Sequence, residues 1–287
     1  MRSLIAAILL LILFCSCTAE KKNDPAAEQE NAVTPSAAVP FFSPSAAPEE
    51  STPFLSPSPL PSPEGTVGVS YTGSGKKAKY LIAIDAGHQQ RGIAEKEPNG
   101  PGSAVQKAKL SSGTAGVVTR VPEYQLNLTV SLALRDELLR RGYSVYMIRI
   151  TNDAPVSNKE RAEMANGAQA DIFLRIHANG SENASVNGAM MVCQSRNNPY
   201  TDQYDASRKL SESVLQGYCG STQMKRKEGN YIWETDTMTG INWCRIPSTT
   251  LEMGYMSNSA DDRFMADAEF PIAAARGIAD GIDAYFA

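Results

Sequence analysis

From residue 78 onward, short apolar runs alternate with segments of helical period, and this alternation leaves few architectures open. Tyr80-Leu81-Ile82-Ala83-Ile84 is a buried-strand run halted by Asp85-Ala86-Gly87. Pro122-Glu123 opens a helix along which Leu126, Val130, Leu134 and Leu138 recur on one face. Arg140-Arg141-Gly142 closes it with a basic last turn and a glycine stop. Further strand signals fall at 143–149, 171–176, 188–193 and 249–253, and helical signals at 158–169, 205–217 and 261–286. The pattern predicts an α/β fold: a single domain over 78–287 with a twisted, mostly parallel central sheet flanked by helices on both faces. In open sheets of this kind ligands bind beyond the carboxyl ends of the strands.

That rule gives the two histidines of the chain their interest. His88 ends Ile84-Asp85-Ala86-Gly87-His88 and His177 follows Arg175-Ile176, so each comes directly after an apolar strand run. Both are expected at the same rim of the sheet, where neutral imidazoles suit a zinc ion. A catalytic zinc keeps three nitrogen or oxygen ligands and an open fourth position, so a carboxylate is also required. Glu123, in the first turn of the helix after the first strand, is the candidate, although the helix dipole alone favours glutamate there. Glu252, in Thr249-Thr250-Leu251-Glu252-Met253-Gly254, puts an acid inside an apolar strand end. It needs either a buried ion pair or a catalytic reason to be there. Asp85 reads as a group that orients a ligand or caps a turn. Arg161, Asn166 and Asn179 read as structural hydrogen-bonding residues. Tyr231, Trp233 and Trp243 either stack on sugar rings or cover a core edge.

The segments I-D-A-G-H at 84–88, P-E-Y-Q-L-N-L at 122–128, N-K-E-R-A-E-M-A-N at 158–166, A-D-I-F-L-R-I-H-A-N at 170–179 and L-E-M-G-Y-M-S-N at 251–258 together resemble the zinc-dependent N-acetylmuramoyl-L-alanine amidases of bacterial cell walls. The resemblance implies one Zn(2+) held by His88, Glu123 and His177, Glu252 as the catalytic acid and base, and peptidoglycan as substrate. Two departures bear on substrate preference. Gln89-Gln90-Arg91 stands where the family commonly has a double glycine, followed by a long stretch to Glu123 that reads as a rim or lid loop. Arg175 stands where a small serine is frequent. Two rival readings remain: a zinc carboxypeptidase or aminopeptidase acting on stem peptides, with the same donor set, and a non-catalytic wall-binding regulator to which Glu252 would be dispensable.

The amino-terminal part has a different character. Eleven apolar residues, Leu4 to Phe14, follow Arg2; a bilayer core needs about twenty, so residues 1–17 read as a signal peptide of lipoprotein type with Cys17 as the acylated residue. Ordinary cleavage before Glu20, releasing the protein, is the alternative. Ten of the 17 prolines lie between residues 18 and 75, among serine and alanine. A segment of that composition cannot bury a core, so 18–77 reads as a disordered linker and spacer. The expected location is extracytoplasmic, anchored at the membrane and facing the wall. A net charge of −4 with no basic run longer than Lys225-Arg226-Lys227 argues against nucleic acid. Cys193, Cys219 and Cys244 are widely spaced and odd in number, which suggests neither a disulfide framework nor a thiolate metal site, though one Cys219 to Cys244 bridge stays open. The oligomeric state is not legible.

Overall fold

The computed structural model describes residues 66–287, so the signal segment and Cys17 lie outside the described residues. In chain order the strands are β1 (Val67–Tyr71), β2 (Leu81–Ala86), β3 (Ile93–Pro98), β4 (Gln106–Leu110), β5 (Ser144–Arg149), β6 (Ile172–Asn179), β7 (Met190–Gln194), β8 (Ile232–Thr235) and β9 (Ser248–Tyr255). The helices are α1 (Glu123–Arg140), α2 (Asn158–Gly167), α3 (Tyr204–Thr222), α4 (Thr239–Asn242), α5 (Ser259–Met265) and α6 (Phe270–Phe286). Seven strands form one sheet in the order β1-β5-β2-β6-β9-β7-β8, and β3 and β4 form a separate hairpin. The four central strands are parallel to one another, whereas β1 is antiparallel to β5 and β7 to β9.

Alternation along the strands sorts the core into two layers. Ile82 and Ile84 of β2, with Ile172, Leu174 and Ile176 of β6, pack on the side covered by α1, α3 and α6. Ala83 and Phe173 face the opposite side, where Ala162 and Ala165 of α2 meet them. Each fully buried valine, leucine or isoleucine contributes about 1.5–3 kcal/mol relative to exposure. Four expectations change here. Val67–Tyr71, expected to lie within a linker reaching residue 77, instead pairs with β5 as an edge strand. The long stretch after His88 is a hairpin pinned in place rather than a free lid: Lys159 N–H donates to Glu97, Asn158 to the Lys109 carbonyl and the Trp243 indole N–H to the Pro98 carbonyl. The helical region at 261–286 is broken into α5 and α6, and β8 adds an edge strand. The thiols of Cys193, Cys219 and Cys244 are all free, so the Cys219 to Cys244 bridge does not form.

At the end of the sheet opposite the histidines, Asp283 of α6 joins three elements. Its carboxylate accepts from Tyr143 Oη at 2.7 Å and Arg141 Nη1 at 2.9 Å, and from Lys77 Nζ. Burial would raise its pKa, but the hydrogen bonds from Lys77, Tyr143 and Arg141 outweigh it and hold the group below the ordinary 3.8. A lowered folded-state pKa contributes stability that is complete above the unfolded value and lost as the pH falls through the folded one. Asp283→Asn should therefore lower unfolding stability at neutral pH by about 1–2 kcal/mol, and the difference should close on acidification. A gap in urea midpoints that stays constant down to about pH 2 would show that the charge of Asp283 is not what holds this corner.

Candidate metal and catalytic centre

Three sequence-distant residues meet at the carboxyl end of β2 and β6. His88 follows β2, Glu123 is the first residue of α1 and His177 lies in the last turn of β6. One nitrogen from each histidine and a carboxylate oxygen of Glu123 lie within 4.8 Å of one another. Glu123 Oε1 is 3.2 Å from His88 Nε2 and 3.2 Å from His177 Nδ1. Two ligands sharing a tetrahedral ion at bonds of about 2.1 Å lie roughly 3.4 Å apart, so the two Glu123 contacts have the spacing, and the nitrogen and oxygen donors the chemistry, of a divalent-metal site.

The surrounding atoms choose which nitrogen faces the centre. His88 Nδ1 lies 2.9 Å from the Ser111 carbonyl, which can only accept, so that nitrogen donates there and Nε2 is the one turned toward Glu123. His177 Nε2 is buried against Gly87 and has no hydrogen-bond partner among the described residues, which leaves Nδ1 as the inward nitrogen. Glu123 is held from every side: its Oε2 accepts from Thr114 N–H at 3.0 Å, and its Oε1 from Ala178 N–H and from Asn127 Nδ2, both at 3.2 Å. Burial would raise its pKa, yet the His88 and His177 imidazoles hold it well below the usual carboxylate range. Burial pushes His177 down to about 4. Space is made by two glycines. A Cβ on Gly87 would lie 2.1 Å from His177 Nε2, and one on Gly113, whose φ is +82°, 2.6 Å from Glu123 Oε2.

Glu252 stands on β9 directly opposite His177 of β6 and Met190 of β7, beside a register shift between His177 and Asn179. It is half-buried and makes no hydrogen bond or ion pair with any described residue, which removes the buried-ion-pair alternative. Burial, and then repulsion from Glu123, pushes its carboxyl up to about 8. The two glutamates of the site are thus driven in opposite directions by their surroundings.

Behind the site lies a cluster that local sequence did not reveal. Asp85 is fully buried between Arg161 Nη1 at 2.5 Å and Arg175 Nε at 2.9 Å, so it neither orients a ligand directly nor caps a turn. Burial would raise its pKa, but Arg161 and Arg175 hold it far below the ordinary carboxylate value. Arg161 also donates to the carbonyls of Ala86 and His88. Arg149 donates to those of Ala86, Gly87 and Tyr124, and burial followed by the nearby Arg161 charge pushes it down to about 9. The backbone at His88, where φ is +58°, is therefore fixed by guanidinium groups. Arg175, conspicuous in sequence beside His177, turns to Asp85 and Asn158. Asn166 and Asn179 make only structural bonds, and Trp243 covers a core edge. Asn127 was not singled out in the sequence, where its place one helical turn after Glu123 was the available signal. Ser111, Gly113 and Thr114 carried no signal beyond a small-residue stretch.

Comparison with known proteins agrees with this geometry. The family model described as Amidase_3: N-acetylmuramoyl-L-alanine amidase matches residues 82–284. The chain is 31% identical over 164 residues to YqiI of Bacillus subtilis, covering 57% of this chain and 74% of that protein. It is 29% identical over 166 residues to the N-acetylmuramoyl-L-alanine amidase LytC of Bacillus subtilis, covering 57% of this chain but only 31% of LytC. The apo form of the N-acetylmuramyl-L-alanine amidase Ami1 from Mycobacterium abscessus superposes with a TM-score of 0.66 at 23% identity, over 72% of this chain and 99% of Ami1, and so shares its fold. A match spanning nearly all of the folded region assigns the chain to the N-acetylmuramoyl-L-alanine amidase family, Amidase_3.

Proposed function

We propose that the protein hydrolyses the amide between the lactyl group of N-acetylmuramic acid and L-alanine in peptidoglycan, using one zinc ion held by His88, Glu123 and His177 and proton transfer by Glu252. The observation that carries the reading is the placement of one carboxylate oxygen 3.2 Å from two inward imidazole nitrogens, with an unpartnered glutamate on the strand next to His177. Zinc in such a set supplies Lewis acidity toward the amide carbonyl and lowers the pKa of a water molecule from 15.7 toward about 7. Ser111 and Thr114, on one side, and Asn127, on the other, keep the ligands in the orientation this requires. With its pKa pushed up to about 8, Glu252 exchanges protons close to neutral pH: its ionised form takes the proton of the attacking water and returns it to the departing nitrogen of L-alanine. The complete donor set argues against the non-catalytic wall-binding reading. The apolar run Leu4 to Phe14 and Cys17 support export with a lipid tether, which would place the enzyme at the wall.

Glu252→Gln should retain zinc, measured by plasma emission, and lose hydrolysis of purified peptidoglycan by about 10²–10⁴-fold, whereas His88→Ala and His177→Ala should lose both. Mass spectrometry should find free stem peptides beginning with L-alanine; cleavage between peptide residues instead would favour the zinc peptidase. Full activity of Glu252→Gln would remove it as the base.

Gly113→Ala tests the cradle separately from the ligands. Its methyl would press on Glu123 Oε2 in a backbone conformation that alanine rarely adopts. Zinc affinity, read by competition with a chelator, should fall about 10–100-fold; unchanged affinity would mean that loop 111–114 does not shape the site.

A further inference from the structure

After α3 the chain turns at Gln223, whose φ is +63°, and returns as an extended segment beside the start of β7. Ala189 N–H donates to the Lys225 carbonyl at 2.7 Å and Lys227 N–H to the Ala189 carbonyl at 2.8 Å, making a parallel bridge between Ala189 and Arg226. Because β7 is antiparallel to β9, its first residues lie at the catalytic rim, with Met190 directly across from Glu252. Side chains alternate along an extended chain, so the direction of each basic residue follows. Arg226 shares the face of Ala189, which belongs to the core under α3. Its guanidinium accordingly lies 5.3 Å from the Tyr231 ring centre, beside Cys219. Lys225 and Lys227 point the other way, to the face shared by Met190 and Glu252.

Both lysines have solvent-accessible side chains, and neither forms an ion pair with any described residue. Lys227 Nζ donates to the Glu228 carbonyl at 3.3 Å. Two adjacent uncompensated cations thus stand at the active rim of a chain whose net charge is −4. Two strand spacings of about 4.8 Å separate their backbone from that of Glu252, roughly 10 Å in all. An extended peptide covers that distance in about three residues.

We propose that Lys225 and Lys227 form an anionic-substrate subsite that receives the free carboxylates on the second and third residues of the stem peptide, with the scissile amide at Glu252. The proposal rests on the amidase reading above and adds to it the direction in which the peptide leaves the metal centre and the charge it must carry. The two lysines set substrate preference and take no part in the bond-breaking step.

The test uses the full-length, zinc-loaded protein and two soluble N-acetylmuramoyl tripeptides, one with free carboxylates on residues two and three and one with both amidated. The wild type should favour the anionic substrate, and Lys225→Gln/Lys227→Gln should lower the ratio of kcat/KM values, anionic over amidated, about fivefold at low salt, with added salt erasing the difference. Lys225→Arg/Lys227→Arg should restore the ratio, which a merely structural role would not require. A ratio unchanged in the Gln variant overturns the subsite while leaving the amidase reading intact; wild-type protein that cuts neither substrate overturns that reading instead. Loss of retention on phosphate-polymer-bearing walls with an unchanged ratio on the soluble pair would assign the lysines to a wall polymer and also overturn the proposal.

Discussion

The geometry of this centre depends on a carboxylate that never touches substrate. Asp85, fully buried, pairs with both Arg161 and Arg175 at the heart of the sheet. Removing one member of a buried pair typically destabilises by about 3–5 kcal/mol, because the remaining charge is stranded. With Asp85 present, Arg161 is free to spend its other donors on the carbonyls of Ala86 and His88, and Arg149 on those of Ala86, Gly87 and Tyr124. The turn that presents His88 and the start of the helix that presents Glu123 are consequently parts of one hydrogen-bonded block. Preorganisation of this kind is what a metal site needs, since its ligands must be placed before the ion arrives.

The same block explains how two glutamates a few residues' width apart come to behave differently. Glu123 is surrounded by two imidazoles and by the amides of Thr114 and Ala178, all of which favour the ionised form. Glu252 has no such donors among the described residues, and burial, then repulsion from Glu123, disfavours its charge, so its proton is retained to higher pH. A cation between the imidazoles would favour the ionised form of both, drawing the Glu252 pKa back down toward neutral pH. The two carboxyls differ because their surroundings do, since the side chains are chemically identical.

The fold was largely legible because its central strands are short continuous apolar runs and its long helices have clean stripes and stops. Elements escaped where their stability is not local. Val67–Tyr71 has only one buried residue, Val69, and holds its shape through pairing with β5. The β3–β4 hairpin is charged and becomes a wall of the domain only by its bonds to α2 and the Trp243 region. Within the site, the two histidines were readable from their places after strand runs, and Glu252 from being an acid in an apolar strand. Glu123 was ambiguous, because a helix N-terminus accounts for a glutamate there without any metal.

By itself, the order of residues determined the α/β class, the rim at which the histidines would emerge and the resemblance that implies zinc and peptidoglycan, since periodicity and short motifs are properties of neighbouring residues. Tertiary structure alone decided which imidazole nitrogen faces inward, that Asp85 serves two arginines, that Glu252 has no hydrogen-bond or ion-pair partner among the described residues and that the segment carrying Lys225 and Lys227 runs beside the start of β7. Each of those facts is a distance or direction between segments separated by tens of residues. Strand order and register set such relations, and no local pattern encodes them.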